Sequence, residues 1–202
     1  QVFTIRGFEP DTERALDAVH YFKMGQNAET GGTWSIDDIN VSMYYADRNE
    51  RRWENLRAGL RRIRDFGPIG YVEFLARKNL TNYNDGTFAW ACEGNFYKEV
   101  YEPKNEVASP LLRNIYYTGG TYYHYYAETV QGIWLLVLLL CPCSLLLMGK
   151  SMLRENSFPQ LVLILALEGL TIFELLFEAR ARYLYTYVPL YIILAAAGVQ
   201  KI

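Results

Sequence analysis

The residues best placed to do chemistry lie in one run, Phe173-Glu-Leu-Leu-Phe-Glu-Ala-Arg-Ala-Arg-Tyr-Leu-Tyr-Thr-Tyr-Val-Pro189. It holds two acids, two arginines and three tyrosines between two apolar stretches, 161–177 and 188–199. Ionisable side chains at a membrane boundary are costly, so they mark a functional site by default. In a helix continuing past Phe177, Glu174, Glu178 and Arg182 fall at successive four-residue steps and share one face. Such a ladder can simply neutralise charge at a helix end. It can also hold Arg180 and Arg182 as anion ligands, with Glu174, Glu178 and Tyr183 in support. Arginine suits that task because its planar fork donates parallel, charge-assisted hydrogen bonds to phosphate. A phosphate at headgroup level, with lipid beside it, describes a lipid-linked phosphate.

Other residues offer weaker chemistry. His20 can serve as an acid–base group, although a lone histidine beside Tyr21 also suits a structural role. Asp37 and Asp38 can assist an acceptor or bind a cation, or act as a solvated pair or a helix cap. Asp85, before Gly86, reads as a turn residue. The arginine-rich segment 48–64 can lie on anionic headgroups or present a solvated face paired with Asp47, Glu50, Glu54 and Asp65. No phosphate-cradling glycine loop, Cys/His metal cluster or nucleophile motif is present, so cofactor and metal stay unspecified. Cys92, Cys141 and Cys143 make no disulfide framework; the last two flank Pro142 in an apolar run and read as small buried residues.

The elements that must position these residues divide the 202-residue chain sharply. Residues 1–126 hold 15 of the 20 Lys and Arg and 17 of the 22 Asp and Glu, and the remainder is mostly apolar. The mean hydropathy of -0.05 averages a polar half with a membrane half. The net charge of -2 gives no electrostatic footprint for nucleic acid. Helices are expected over 10–24, from Pro10 and Asp11, over 47–65 until Gly67-Pro68, and over 69–79. Residues 26–40 and 98–114 read as loops, Asn84-Asp-Gly-Thr as a turn, and 87–92 as a short strand or amphipathic piece. Tyr116, Tyr117, Tyr122, Tyr123, Tyr125 and Tyr126 crowd the approach to the first apolar run, as an aromatic belt does at headgroup level.

The fold class is therefore mainly α and integral to a membrane. Three C-terminal spans, about 127–149, 158–178 and 183–199, follow a helical, loop-rich extracytoplasmic region, 1–126. Lys150, Arg154 and Lys201 mark the inner side by the positive-inside rule, and 1–126 with 179–184 lies outside. The chain opens at Gln1-Val-Phe-Thr and reads as a fragment of a longer polytopic protein.

The run 173–184 resembles the C-terminal signature of bacterial membrane glycosyltransferases related to protein O-mannosyltransferases (family 39, GT-C fold). Three more segments fit the resemblance in order: His20-Tyr-Phe-Lys-Met-Gly-Gln-Asn27, Trp34-Ser-Ile-Asp-Asp38 and Asn84-Asp-Gly-Thr-Phe-Ala-Trp-Ala-Cys-Glu-Gly-Asn-Phe-Tyr97. It departs at Gln26, where the family more often has Leu. The resemblance implies transfer of a sugar from a polyprenyl-phosphate carrier to a protein or cell-envelope glycan on the outer face of a bacterial membrane. The catalytic acid would lie upstream of Gln1. The expected partners are the bilayer, the lipid-linked donor and that acceptor, without nucleic acid. The rival reading is a non-catalytic transporter or scaffold subunit for lipid-linked glycans, with Glu168 and Glu174 on a proton or substrate path.

Overall fold

A computed structural model describes residues 15–152 and 158–199. The start signals Pro10 and Asp11, and the sidedness markers Arg154 and Lys201, lie outside the described residues. Eight α-helices carry the description: α1 (Ala18–Gly25), α2 (Ile36–Tyr44), α3 (Arg48–Tyr83), α4 (Trp90–Val100), α5 (Ala108–Tyr116), α6 (Tyr123–Met152), α7 (Phe158–Leu176) and α8 (Val188–Val199). Two 3-10 turns, Ala181–Tyr183 and Tyr185–Tyr187, precede α8. No strand occurs among the described residues, so the piece at 87–92 is not one.

The described residues form two compact units. The first runs to Asn79 and adds Ile172–Ala179. Asp17 caps α1 by accepting from Val19 N at 3.1 Å and His20 N at 3.2 Å. The expected loop 26–40 is in part helical. Ser35 caps α2 through Asp38 N at 3.2 Å, which puts Asp37 and Asp38 in its first turn. The stretch α3 is broken at Gly67, whose φ of 64° and ψ of 171° are open to glycine, with Pro68 starting the next segment. That break stands where Gly67-Pro68 predicts it. Gly25 is required by close approach: a Cβ there would lie 2.3 Å from Phe177 O.

The interior of this unit is polar. Met24 and Phe74 are buried, but so are His20, Lys23, Asp38, Ser42, Arg51 and Asn55. On α3 the inward positions are Arg51, Asn55 and Gly59, while Trp53 and Leu60, two of the four apolar residues at helical spacing (Trp53, Leu56, Leu60 and Ile63), are exposed. The stripe at 53, 56, 60 and 63 therefore does not mark the core face.

The second unit comprises Leu80–Thr171 and Arg180 onward. Its core joins Trp134 and Cys141 of α6, Leu167 and Leu170 of α7, Leu184, and Tyr191, Leu194 and Ala195 of α8. Several polar groups at this core are paired. Tyr83 OH reaches Thr171 Oγ1 at 2.8 Å and Tyr191 OH at 2.7 Å, and Trp134 Nε1 donates to Tyr83 O at 2.9 Å. Cys141 is buried as expected, whereas Cys143 is exposed.

Among the described residues, two helices are long and apolar enough to cross a membrane, Tyr123–Leu146 and Pro159–Leu176. Only 17% of each window is buried, where a soluble core helix is buried almost throughout. The expected third span needs correction. Its start is taken by the 3-10 turns, and α8 has 12 residues, short of the roughly 20 that a crossing needs.

Candidate functional site

The site is built on the turn before α4. Asp85 Oδ1 accepts from Thr87 N at 2.8 Å and Thr87 Oγ1 at 2.6 Å, and Oδ2 accepts from Ala89 N at 2.7 Å. These bonds hold Phe88 and Ala89 at positive φ, 52° and 66°, which non-glycine residues adopt only when held there. Gly86 lies against α6, where a Cβ would meet Gln131 Cα at 2.7 Å, and its N–H donates to Gln131 Oε1 at 2.7 Å. Asp85 is thus the turn residue the sequence suggests, and its carboxylate is committed to the backbone.

The turn launches α4 so that Glu93 meets both arginines. Arg182 donates from an Nη to Glu93 Oε2 at 2.9 Å, and Arg180 Nε stands 2.8 Å from Oε1 as an ion pair without hydrogen-bond alignment. The Arg182 guanidinium also lies 5.4 Å from the centroid of the Tyr183 ring. Beside this cluster opens a pocket of about 420 Å³, lined by Trp90, Tyr97, Tyr126 and Tyr185 together with Glu93 and Arg182. Glu93 thus takes both guanidiniums, and Arg182 is half exposed at the pocket wall. An anion with an apolar or ring-shaped neighbour fits that combination of charge and aromatic surface.

Glu93 was not among the residues singled out in the sequence. It stands in the quoted segment Trp90-Ala-Cys-Glu-Gly-Asn, but no local spacing announces a partner nearly ninety residues away. The four-residue ladder does not form as expected, because α7 ends at Leu176 and Arg182 sits in a 3-10 turn. Glu178 and Arg182 are therefore not on one helical face.

The remaining candidates belong to the first unit. Asp38 is buried, not a solvated loop residue. It takes both Nη groups of Arg62 at 2.8 and 3.0 Å, Asn27 Nδ2 at 2.9 Å, and stands 3.7 Å from Lys23 Nζ. Burial alone would raise its carboxyl, but hydrogen bonds from Arg62 and Asn27 hold it below its ordinary value. Asp37 is exposed. His20 is buried with Nδ1 2.7 Å from Ser42 Oγ, which also accepts from Lys23 Nζ at 2.8 Å. Burial, then the Lys23 charge, lowers His20 to about 4, so it is neutral at pH 7. The pocket near these residues, about 340 Å³, is lined by Asn27 and Arg62 but not by His20 or Asp38. Their geometry is that of a folding core.

Lys78 is a buried cation that the sequence reading passed over. Its Nζ donates to Gly25 O at 2.7 Å, Leu175 O at 3.0 Å and Phe177 O at 2.6 Å. It thus satisfies carbonyls that the end of α7 leaves without helical partners. Burial pulls its ammonium down to about 7, against the pull of Glu174 and Glu178. Glu178 is buried too. Glu174 is 1% exposed, and neither of its carboxylate oxygens has a hydrogen-bond partner among the described residues.

A family model described as "Conserved hypothetical integral membrane protein" matches residues 8–201. The chain belongs to that family. Membership makes it an integral membrane protein, and α6 and α7, with their exposed leucines, carry its candidate spans. No curated protein and no solved structure matches this family member.

Proposed function

We propose that this integral membrane protein binds a lipid-linked phosphate in the pocket beside Glu93, Arg180 and Arg182. The specific form of the reading is the polyprenyl-phosphate-sugar donor of a GT-C glycosyltransferase in a multi-pass bacterial cell-membrane protein, with the pocket on the outer face. The observation that carries it is the convergence of two arginines on one carboxylate at an aromatic-lined pocket, just beyond the candidate span α7. In this reading Arg182 meets the phosphate, Arg180 adds charge, Glu93 fixes both guanidiniums, and the aromatic walls receive the sugar or the first isoprene unit. The residues of this pocket bind and orient; none of them is assigned the transfer step. A protein or cell-envelope glycan is the acceptor.

The test is sugar transfer from a radiolabelled polyprenyl-phosphate sugar in membranes carrying the full-length protein or its Arg180→Ala and Arg182→Ala variants. Transfer should fall in both variants while membrane insertion is unchanged. Wild-type transfer by both would overturn the reading. A second reading, a transporter or scaffold subunit for lipid-linked glycans, is favoured by Glu174, a buried and unbonded acid in α7. Carrier binding without transfer by the full-length protein would support that one.

A further inference from the structure

The helix α5 lies where the sequence predicts only a polar loop, and its surface is sorted by chemistry. At about 100° per residue, Val107, Ala108, Leu111, Leu112 and Ile115 fall within an arc of about 140°, with Ser109, Pro110, Arg113 and Asn114 on the rest. Nothing in this helix is buried: Val107 is 83% exposed, Leu111 55% and Leu112 50%. It is nevertheless a well-defined helix. Asn105 Oδ1 accepts from Val107 N at 3.0 Å and Ala108 N at 2.8 Å, which caps its start. Arg113 donates from an Nη to Tyr101 O at 2.7 Å.

Its C-terminal end is held against the start of α6. Tyr122 N donates to Asn114 O at 3.0 Å, Gly120 N to Tyr117 O at 2.9 Å, and the Tyr116 ring meets the Tyr126 ring edge-on at 4.9 Å. Gly120 admits the fold-back, since a Cβ there would lie 2.3 Å from Asn114 O. The C-terminal end of α5 is thereby tied to the first turn of α6, the tyrosine-rich end of a candidate span. Aromatic residues of that kind sit at the membrane–water interface.

We infer that α5 is an interfacial helix, lying with its Val107–Leu111–Ile115 face in the headgroup–acyl boundary of the same bilayer that α6 enters. Continuity with the exposed apolar surface of α6 identifies the occupant of this face. Size argues against a second copy of the chain: nine residues make a helix about 14 Å long, too small alone for the roughly 800 Å² per partner of a stable interface. The attraction is hydrophobic. Lys98, Lys104 and Arg113 are balanced by Glu99, Glu102 and Glu106, so adsorption should not depend on anionic lipid. The inference needs only membership of the membrane family and not the phosphate reading.

The test uses the full-length protein in vesicles of phosphatidylcholine, with and without phosphatidylglycerol, carrying Cys92→Ser and Cys143→Ser. Nitroxide labels are placed one at a time at Val107→Cys, Ser109→Cys, Leu111→Cys, Leu112→Cys and Arg113→Cys. Collisions with dissolved oxygen, enriched in lipid, and with a water-soluble nickel chelate are compared. The oxygen-to-chelate ratio should rise at 107, 111 and 112 and fall at 109 and 113, alike in both lipid mixtures. Equal chelate access at 111 and 109 would overturn the inference. So would spin–spin broadening at 111 that disappears on dilution with unlabelled protein, which would put a second copy on this face. Single labels on an exposed helix leave the fold intact, and insertion of each variant is checked by its thermal unfolding.

Discussion

Replacing Asp38 tests whether the charged core of the first unit is structural. Asp38 is 4% exposed at its side chain and Lys23 1%, and Arg62 is bidentate on the same carboxylate. Asp38→Ala leaves the Lys23 ammonium buried, hydrogen-bonded to the Ser42 hydroxyl and a backbone carbonyl but without its carboxylate. Breaking a buried pair in this way costs about 3–5 kcal/mol, because a charge is left uncompensated. At roughly 2–4 °C per kcal/mol for a chain of this size, the unfolding midpoint should fall by about 6–20 °C. The assay is thermal unfolding of the full-length protein in nanodiscs, followed by tryptophan fluorescence. Adding Lys23→Met to Asp38→Ala should recover part of the loss, since it removes the orphaned charge. A single-mutant midpoint within about 2 °C of wild type, less than 1 kcal/mol, would refute the reasoning and return Asp38 to the candidates for ligand binding.

Three further outcomes are expected. Gly25→Ala should lower the unfolding midpoint markedly, since its Cβ would sit 2.3 Å from Phe177 O and backbone must move; an unchanged midpoint contradicts the close approach. His20 should make the protein acid-sensitive. Its folded pKa, about 4, lies below its ordinary 6.5, so the unfolded chain takes up the proton first. The stability present above pH 6.5 is then lost as pH falls toward 4, by about 3 kcal/mol. His20→Gln should flatten that part of a stability profile recorded between pH 7.5 and 4, and an equally steep profile would count against it. For sidedness, Thr121→Cys should react with an impermeant thiol reagent in intact cells and Ser157→Cys should not, both with Cys92→Ser and Cys143→Ser; the opposite pattern reverses the orientation.

How far the sequence could be read depended on whether the controlling interaction was local. The break at Gly67-Pro68, the Asp85 turn and the apolar helices α6 and α7 are set by neighbouring residues, and they were legible. Two helices were hidden by composition. Gly31-Gly32 and the paired aspartates masked α2, although Ser35, three before Asp38, is a cap signal. Pro103 and Pro110 masked α5, although a proline in a first turn removes an N–H that has no helical partner anyway. The start of α4 depends on Phe88 and Ala89 at positive φ, which no residue type announces.

The arginine-rich stretch 48–64 shows the limit of helical periodicity. Trp53 and Leu60 of its apolar stripe are exposed and Leu56 and Ile63 only half-buried, while Arg51 and Asn55 are buried in a polar interior. In a protein that meets lipid, apolar residues have a second place to go, so apolar spacing identifies a face without saying what covers it. The candidate site was legible in half. Arg180 and Arg182 stand out by charge at a membrane boundary, but Glu93, which joins them, pairs across the sequence, and the expected Glu178–Arg182 helical step is lost where α7 stops.

Binding of polyprenyl phosphate bears on the arginine pair without any need for an acceptor. The full-length protein in nanodiscs is titrated with a short-chain polyprenyl phosphate and, as control, with the uncharged polyprenol. A charge-assisted contact contributes about 1.5–3 kcal/mol, so Arg182→Ala should weaken phosphate binding roughly tenfold to a hundredfold. Arg182→Lys should recover only part of it, since lysine keeps the charge and loses the fork, and polyprenol binding should not change. Equal affinity of wild type and Arg182→Ala for the phosphate, or equal loss of phosphate and polyprenol, would contradict a phosphate seat at Arg180 and Arg182.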